Sequence, residues 1–214
     1  MTNPDNAIGT NAAYSGRTSV KAFNDVLSAF TPGIVSGWEA QPDTGLTITL
    51  GGGHSVRDVA IAVNNTGDRT TINNISEDEV LVTVAAAPVS NSRIDAIVAY
   101  VDNPPQGVAT TADNPSACGL IAVTGTPSAD PVVPNDSAIR TAITADGASG
   151  ATAYYVILAT VTVPTGTTDL IPDYITQGEK SVPISSAVIT MTSTDPGEGV
   201  PLAANHFIAV YDAS

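Results

Sequence analysis

The stretch RIDAIVAYV, residues 93–101, opens with two opposite charges and runs on as unbroken apolar sequence. Alternate residues of a strand share a face, so Arg93 and Asp95 stand side by side, followed on that face by Ile97, Ala99 and Val101. Ile94, Ala96, Val98 and Tyr100 occupy the other face. A strand apolar on both sides belongs inside a sheet that is covered on both faces. The charges at its mouth are then either part of a catalytic constellation or a structural pair, and the surrounding chain has to decide between them.

Outward from this strand, short β-forming runs separated by turns extend from Ile34 to about residue 124. IVSGWEAQ (34–41), LTITLGGG (46–53), HSVRDVAIAV (54–63), RTTINNI (69–75), EVLVTVAAA (79–87) and CGLIAVTG (118–125) succeed one another, with NNTGDR and DNPPQG as turns. Strands at this spacing predict a sandwich or barrel instead of an alternating α/β sheet. Residues 126–136, TPSADPVVPND, carry three prolines and read as an extended connector, and NDSAIRTAIT reads as a short helix capped by Asn135 or Asp136. A second strongly apolar strand, TAYYVILATVTV, ends at a Pro-Thr-Gly turn.

The strongest helical pattern lies earlier. Val20, Phe23, Val26, Leu27 and Phe30 recur at helical spacing, with Thr18 or Ser19 as N-cap and Pro32-Gly33 as stop, so a helix is expected over 18–30. The expected fold is mainly β: an antiparallel, β-sandwich-like domain over 17–180 with one N-terminal helix, preceded by an extended arm (1–16) and followed by a small C-terminal β unit (181–214). That last unit holds two strand candidates on either side of STDPGEG.

Against 7 lysines and arginines stand 21 aspartates and glutamates, a net charge of −14. The sign repels phosphate backbones and no basic cluster offsets it, so no nucleic-acid partner is expected. Cys118 is the single cysteine, which precludes an intrachain disulfide; its apolar surroundings in sequence suggest a buried, inert thiol. The N-terminal sequence lacks the basic and apolar regions of a secretory signal, and no apolar run reaches the roughly 18 residues needed to span a bilayer. Synthesis and folding in a cytoplasm, without membrane insertion, are the expectation.

Catalytic chemistry finds little purchase. His54 and His206 sit in no metal or nucleophilic spacing, GGGH lacks the Gly-Lys-Ser ending of a phosphate loop and reads as a hairpin turn, and SEDEV and STDPGEG lack the spacing of a calcium loop. A glycosidase pair would need two carboxylates in a cleft with aromatic platforms, and Trp38 is the lone tryptophan. No catalytic, metal or cofactor-binding residue is therefore assigned, and no enzyme activity is expected. Arg93 and Asp95 read best as a bidentate structural pair that fixes strand register.

Three segments carry a resemblance: NAIGTNAAYSGRTSVKAFNDVLSAFTPGIVSGW (6–38), the Arg-x-Asp strand from Arg93 to Tyr100, and LATVTVPTGTTDL (158–170), a strand followed by a Val-x-x-Gly-Thr-Thr turn. In this order they resemble virion structural proteins of tailed phages of Gram-positive bacteria, of the baseplate, tail-fibre or receptor-binding type. The closing STDPGEGVPLAANHFIAVYD is similar to the last segment of fibre or head-fibre proteins. The resemblance implies a part of the virion, made in the host cytoplasm, that docks on other virion proteins and forms homo-oligomers, typically trimers, with a distal part that meets a host cell-surface glycan. A head-fibre or capsid decoration protein and a carbohydrate-binding module are the alternatives. Within the arm, Ile8 and Tyr14 are the side chains expected to anchor in grooves of a neighbour.

Overall fold

The computed structural model describes residues 26–51, 58–74, 79–102 and 118–184, together with the backbone of two strands at 188–192 and 206–210. The chain is mainly β, with antiparallel sheets and one helix among the described residues. The strands are β1 (Gly33–Ser36), β2 (Ala40–Pro42), β3 (Thr47–Leu50), β4 (Asp58–Val63), β5 (Arg69–Asn74), β6 (Val80–Thr83), β7 (Arg93–Val101), β8 (Cys118–Val123), β9 (Tyr154–Val163), β10 (Ile175–Gln177), β11 (Val188–Thr192) and β12 (His206–Val210). The helix α1 spans Asp136–Ala145.

Seven strands form the larger sheet: β7 lies between β8 and β9, β9 continues to β4 and β10, and β4 to β1 and β5. A second sheet has three strands in the order β2-β3-β6. Side chains from both sheets meet in one core, where Ile48 and Leu50 of β3 face Ile97 of β7 and Leu158, Val161 and Val163 of β9. The opposite face of the large sheet is covered by α1, whose Ile139 and Ile143 pack with Ala96, Val98, Tyr100 and Val123. Burying each of those isoleucines contributes about 1.5–3 kcal/mol. RIDAIVAYV is thus covered on both faces, as its two apolar sides require.

A bulge adjusts the partner strand. Ile97 pairs with Ala159 but Val98 pairs with Ile157, which leaves Leu158 as an extra residue in β9. The inserted residue inverts the alternation of β9, so Leu158 and Ala159 both enter the inter-sheet core. Without it, Val161 and Val163 would face away from that core.

Local chemistry explains α1. Asn135 Oδ1 accepts from the Ala138 backbone N–H at 3.0 Å, Asp136 supplies a negative charge in the first turn, and Arg140 pairs with Asp136 one turn on. Gly147, at φ +99°, lies just past its end.

Several expectations change. Of the helix expected over 18–30, residues 18–25 lie outside the described residues; Val26 and Leu27 are helical, and Phe30 already forms an isolated bridge to Pro183. IVSGWEAQ is two strands in two sheets, because Gly37 and Trp38 turn through left-handed backbone (φ +61° and +56°) between β1 and β2. GGGH, expected as a hairpin turn, lies outside the described residues from Gly52 on; β3 before it and β4 after it belong to different sheets. Cys118 is exposed, since it begins β8 where the strand leaves the core. The C-terminal strands β11 and β12, on either side of STDPGEG, pair parallel. Finally, Thr31 and Ile34 exchange hydrogen bonds with residues 179–182, and Ile184 N–H donates to Ala29 O, so the described core closes by zipping the chain around Ile184 against its start.

Candidate functional site

The charge cluster at the mouth of β7 is fully internal. Arg93 is 4% exposed and Asp95 0%. The guanidinium donates from Nε to Asp95 Oδ1 at 2.8 Å and from Nη2 to Oδ2 at 3.0 Å, the bidentate geometry in which arginine and carboxylate match best. Its remaining reach goes to backbone: Nη1 to Ala86 O and Nη2 to Ala85 O, each at 2.7 Å. Asp95 Oδ1 also accepts the Gly125 N–H at 2.8 Å. The pair therefore ties three pieces of chain together, namely the β6–β7 connection, the start of β7 and the exit of β8. A Cβ on Gly125 would sit 2.0 Å from Ile94 O, so this approach requires glycine.

A second buried carboxylate does similar work at the mouth of another apolar run. Asp58, at the start of DVAIAV, is 2% exposed; it accepts the Trp38 N–H at 2.9 Å and the Asn74 amide at 3.1 Å. Gly37 and Gly51 close around it in left-handed backbone, and a Cβ at either would fall within 2.0 Å of a carboxylate oxygen. Sequence reading passed over Asp58, although an acid opening an apolar strand was the same signal that marked Asp95.

The third group holds α1 to the sheet. Tyr155 OH donates to Asp136 Oδ1 at 2.8 Å, Arg140 Nε donates to the same carboxylate at 3.0 Å, and Arg140 lies 5.2 Å from the centre of the Tyr155 ring. Arg140 Nη1 also reaches Gly150 O and Ala153 O. Burial, together with the bond to Asp136, pushes the Tyr155 phenol up to about 12. The bond from Tyr155, with Arg140 beside it, holds Asp136 below the usual carboxylate range. Beyond the helix, Tyr100 OH donates to Asp146 Oδ2 at 2.6 Å and is raised by burial first and by that bond second.

In each cluster the charged side chains are engaged with backbone or with one another, while the buried Trp38 indole N–H beside Asp58 has no partner among the described residues. Two open cavities, about 320 Å³ beside Trp38 and about 440 Å³ beside Tyr155, have described linings that contain no nucleophile set against a base. Among the described residues no three His, Cys, Asp or Glu side chains converge as a metal site, and no helix is long and apolar enough to cross a membrane. Ile8, Tyr14 and His54 lie outside the described residues, and His206 occupies the register position opposite Val188. What this arrangement does is fix strands and connections in register. No family model, no curated protein and no solved structure matches the chain.

Proposed function

We propose that the chain is a structural component of a tailed-phage virion, attached at the tail or baseplate and contributing to host recognition. One observation carries this reading beyond the sequence likeness. The two motifs of that likeness, some sixty residues apart in sequence, are neighbouring strands: Arg93 pairs with Val163 and Asp95 with Val161. The turn that follows, Val163 to Thr168, is also tied in, with Gly166 N–H donating to Pro88 O and Leu170 N–H to Gly45 O. The quoted residues thus build one scaffold element.

In this reading the two sheets form a β-sandwich with α1 on its outer face, and the buried charges are spent on holding register. That suits a subunit that bears load and carries out no chemistry. The arm bearing Ile8 and Tyr14 docks on other virion proteins, and copies of the chain associate. Placement on the capsid surface, as a head fibre or decoration protein, is the second form of the same proposal.

Gold-labelled antibody against the purified chain, applied to intact particles in the electron microscope, tests it. Label at one defined position on the virion is expected; particles that never carry label, from a lysate in which the chain is made, would overturn it. A glycan array with purified protein tests the recognition role separately, and binding to no glycan on it would remove that role from this chain.

A further inference from the structure

The edge of the large sheet at β8 is built differently from the other edges. A strand at an edge presents backbone N–H and C=O groups that pair readily with another chain. Beside β1, Ile34 N–H donates to Glu179 O at 2.8 Å and Ser181 N–H donates to Ile34 O at 2.9 Å, so residues 179–181 cover it. At β2, the Gln177 side chain accepts from Ala40 N–H at 3.0 Å and donates to Ala40 O at 2.7 Å, imitating a neighbouring strand. β5 reads RTTINN and is polar, and β6 has only four residues. β8, CGLIAV, has six residues without a charge or a proline. Among the described residues it pairs with β7 alone, and none of their hydrogen bonds reaches its outer side.

We propose that this edge is a self-association surface, on which β8 of a second copy pairs antiparallel and joins two large sheets across a two-fold axis. The chemistry of the edge selects the occupant. Leu120 and Ala122 pack toward the inter-sheet core and Ile121 toward the core beneath α1, so an added strand must be apolar on both faces to continue both layers. β8 itself meets that requirement. Opposed residues of an antiparallel pair share a face, so a two-fold axis passing through Leu120 or Ile121 sets like against like. A chain of net charge −14 repels its copies, and an uncharged strand is where two of them approach at least cost. The cavity of about 320 Å³, lined by Cys118, Gly119 and Leu120 with Trp38 and Val80, leaves room beside the first half of the strand. The contact joins copies in pairs, so a trimer of the kind the resemblance implies would be held by another surface.

The test combines sedimentation velocity with hydrogen exchange on the full chain over a range of concentrations. Association with at least about tenfold slower exchange at 118–123, and unchanged exchange at 69–74, is the expected result. A monomer at every concentration, or association that leaves exchange at 118–123 unchanged, overturns the proposal. Cys118→Lys places a charge at an exposed position on this edge; it should weaken association by at least about tenfold while the monomer melts as the parent does. Undiminished association of this variant also overturns the proposal. Immunolabelling of particles has no bearing on either readout, so failure here and failure of the virion reading are distinct.

Discussion

Replacing Asp95 by alanine removes the acceptor of three hydrogen bonds at 2.8, 3.0 and 2.8 Å and leaves two groups behind. One is the Arg93 guanidinium, 4% exposed, which keeps the carbonyls of Ala85 and Ala86 but loses its counter-charge. Breaking a buried pair from one side costs about 3–5 kcal/mol. The other is the Gly125 N–H, which is half-buried, so its lost acceptor adds up to the roughly 1–3 kcal/mol of a fully buried donor and moves the expected loss toward the upper part of that range. Native stabilities are roughly 5–15 kcal/mol, so the substitution removes a large share. With a urea slope of about 2 kcal/mol per molar, the unfolding midpoint should fall by roughly 2 M. The double variant Arg93→Met/Asp95→Ala deletes both charges, leaving three backbone groups unpaired but no bare ion, and should lose less than Asp95→Ala alone. Urea titrations followed by circular dichroism on the four proteins, completed by Arg93→Met, give the coupling directly. A midpoint for Asp95→Ala within about 0.3 M of the parent, or strictly additive losses in the double variant, would refute the reasoning.

Gly37→Ala and Gly67→Ala should separate backbone strain from steric conflict. Both glycines have positive φ, but a Cβ at Gly37 would lie 1.9 Å from Asp58 Oδ1 whereas one at Gly67 meets nothing within 4 Å. The strain alone costs about 1 kcal/mol, and Gly37→Ala should exceed Gly67→Ala by a further 1 kcal/mol or more in the same titration. Asn135→Ala removes the N-cap of α1 and should lower stability by about 1 kcal/mol, read as a lower melting temperature; a melt unchanged from the parent would show that α1 is held by its packing alone. The Tyr155 phenol is raised to about 12, so the stability it contributes is complete below the unfolded tyrosine value near 10 and is lost as pH rises from there toward 12. Phenolate absorbance should show Tyr155→Phe deleting a late-titrating group, and a parent whose tyrosines all titrate near 10 while still folded would contradict this.

Period-two apolar alternation and turn residues are local properties, and they determined by themselves that this chain is mainly β, that RIDAIVAYV is covered on both faces, and that a short helix starts at Asn135 or Asp136. They also put Arg93 and Asp95 on one face, because a strand leaves no choice about residues two apart. Which strands join which sheet was left to the tertiary structure. The left-handed turn at Trp38 splits IVSGWEAQ, and it is held by the Asp58 carboxylate twenty residues away, a contact no local pattern encodes. The bulge at Leu158 reverses the facing of half of β9, and only the pairing with β7 reveals it. Cys118 was misread for the same reason: its apolar neighbours in sequence indicate a strand, but whether the first residue of that strand is covered depends on what packs beside it. Burial and edge position come from contacts between distant segments, and only the fold brings those segments together.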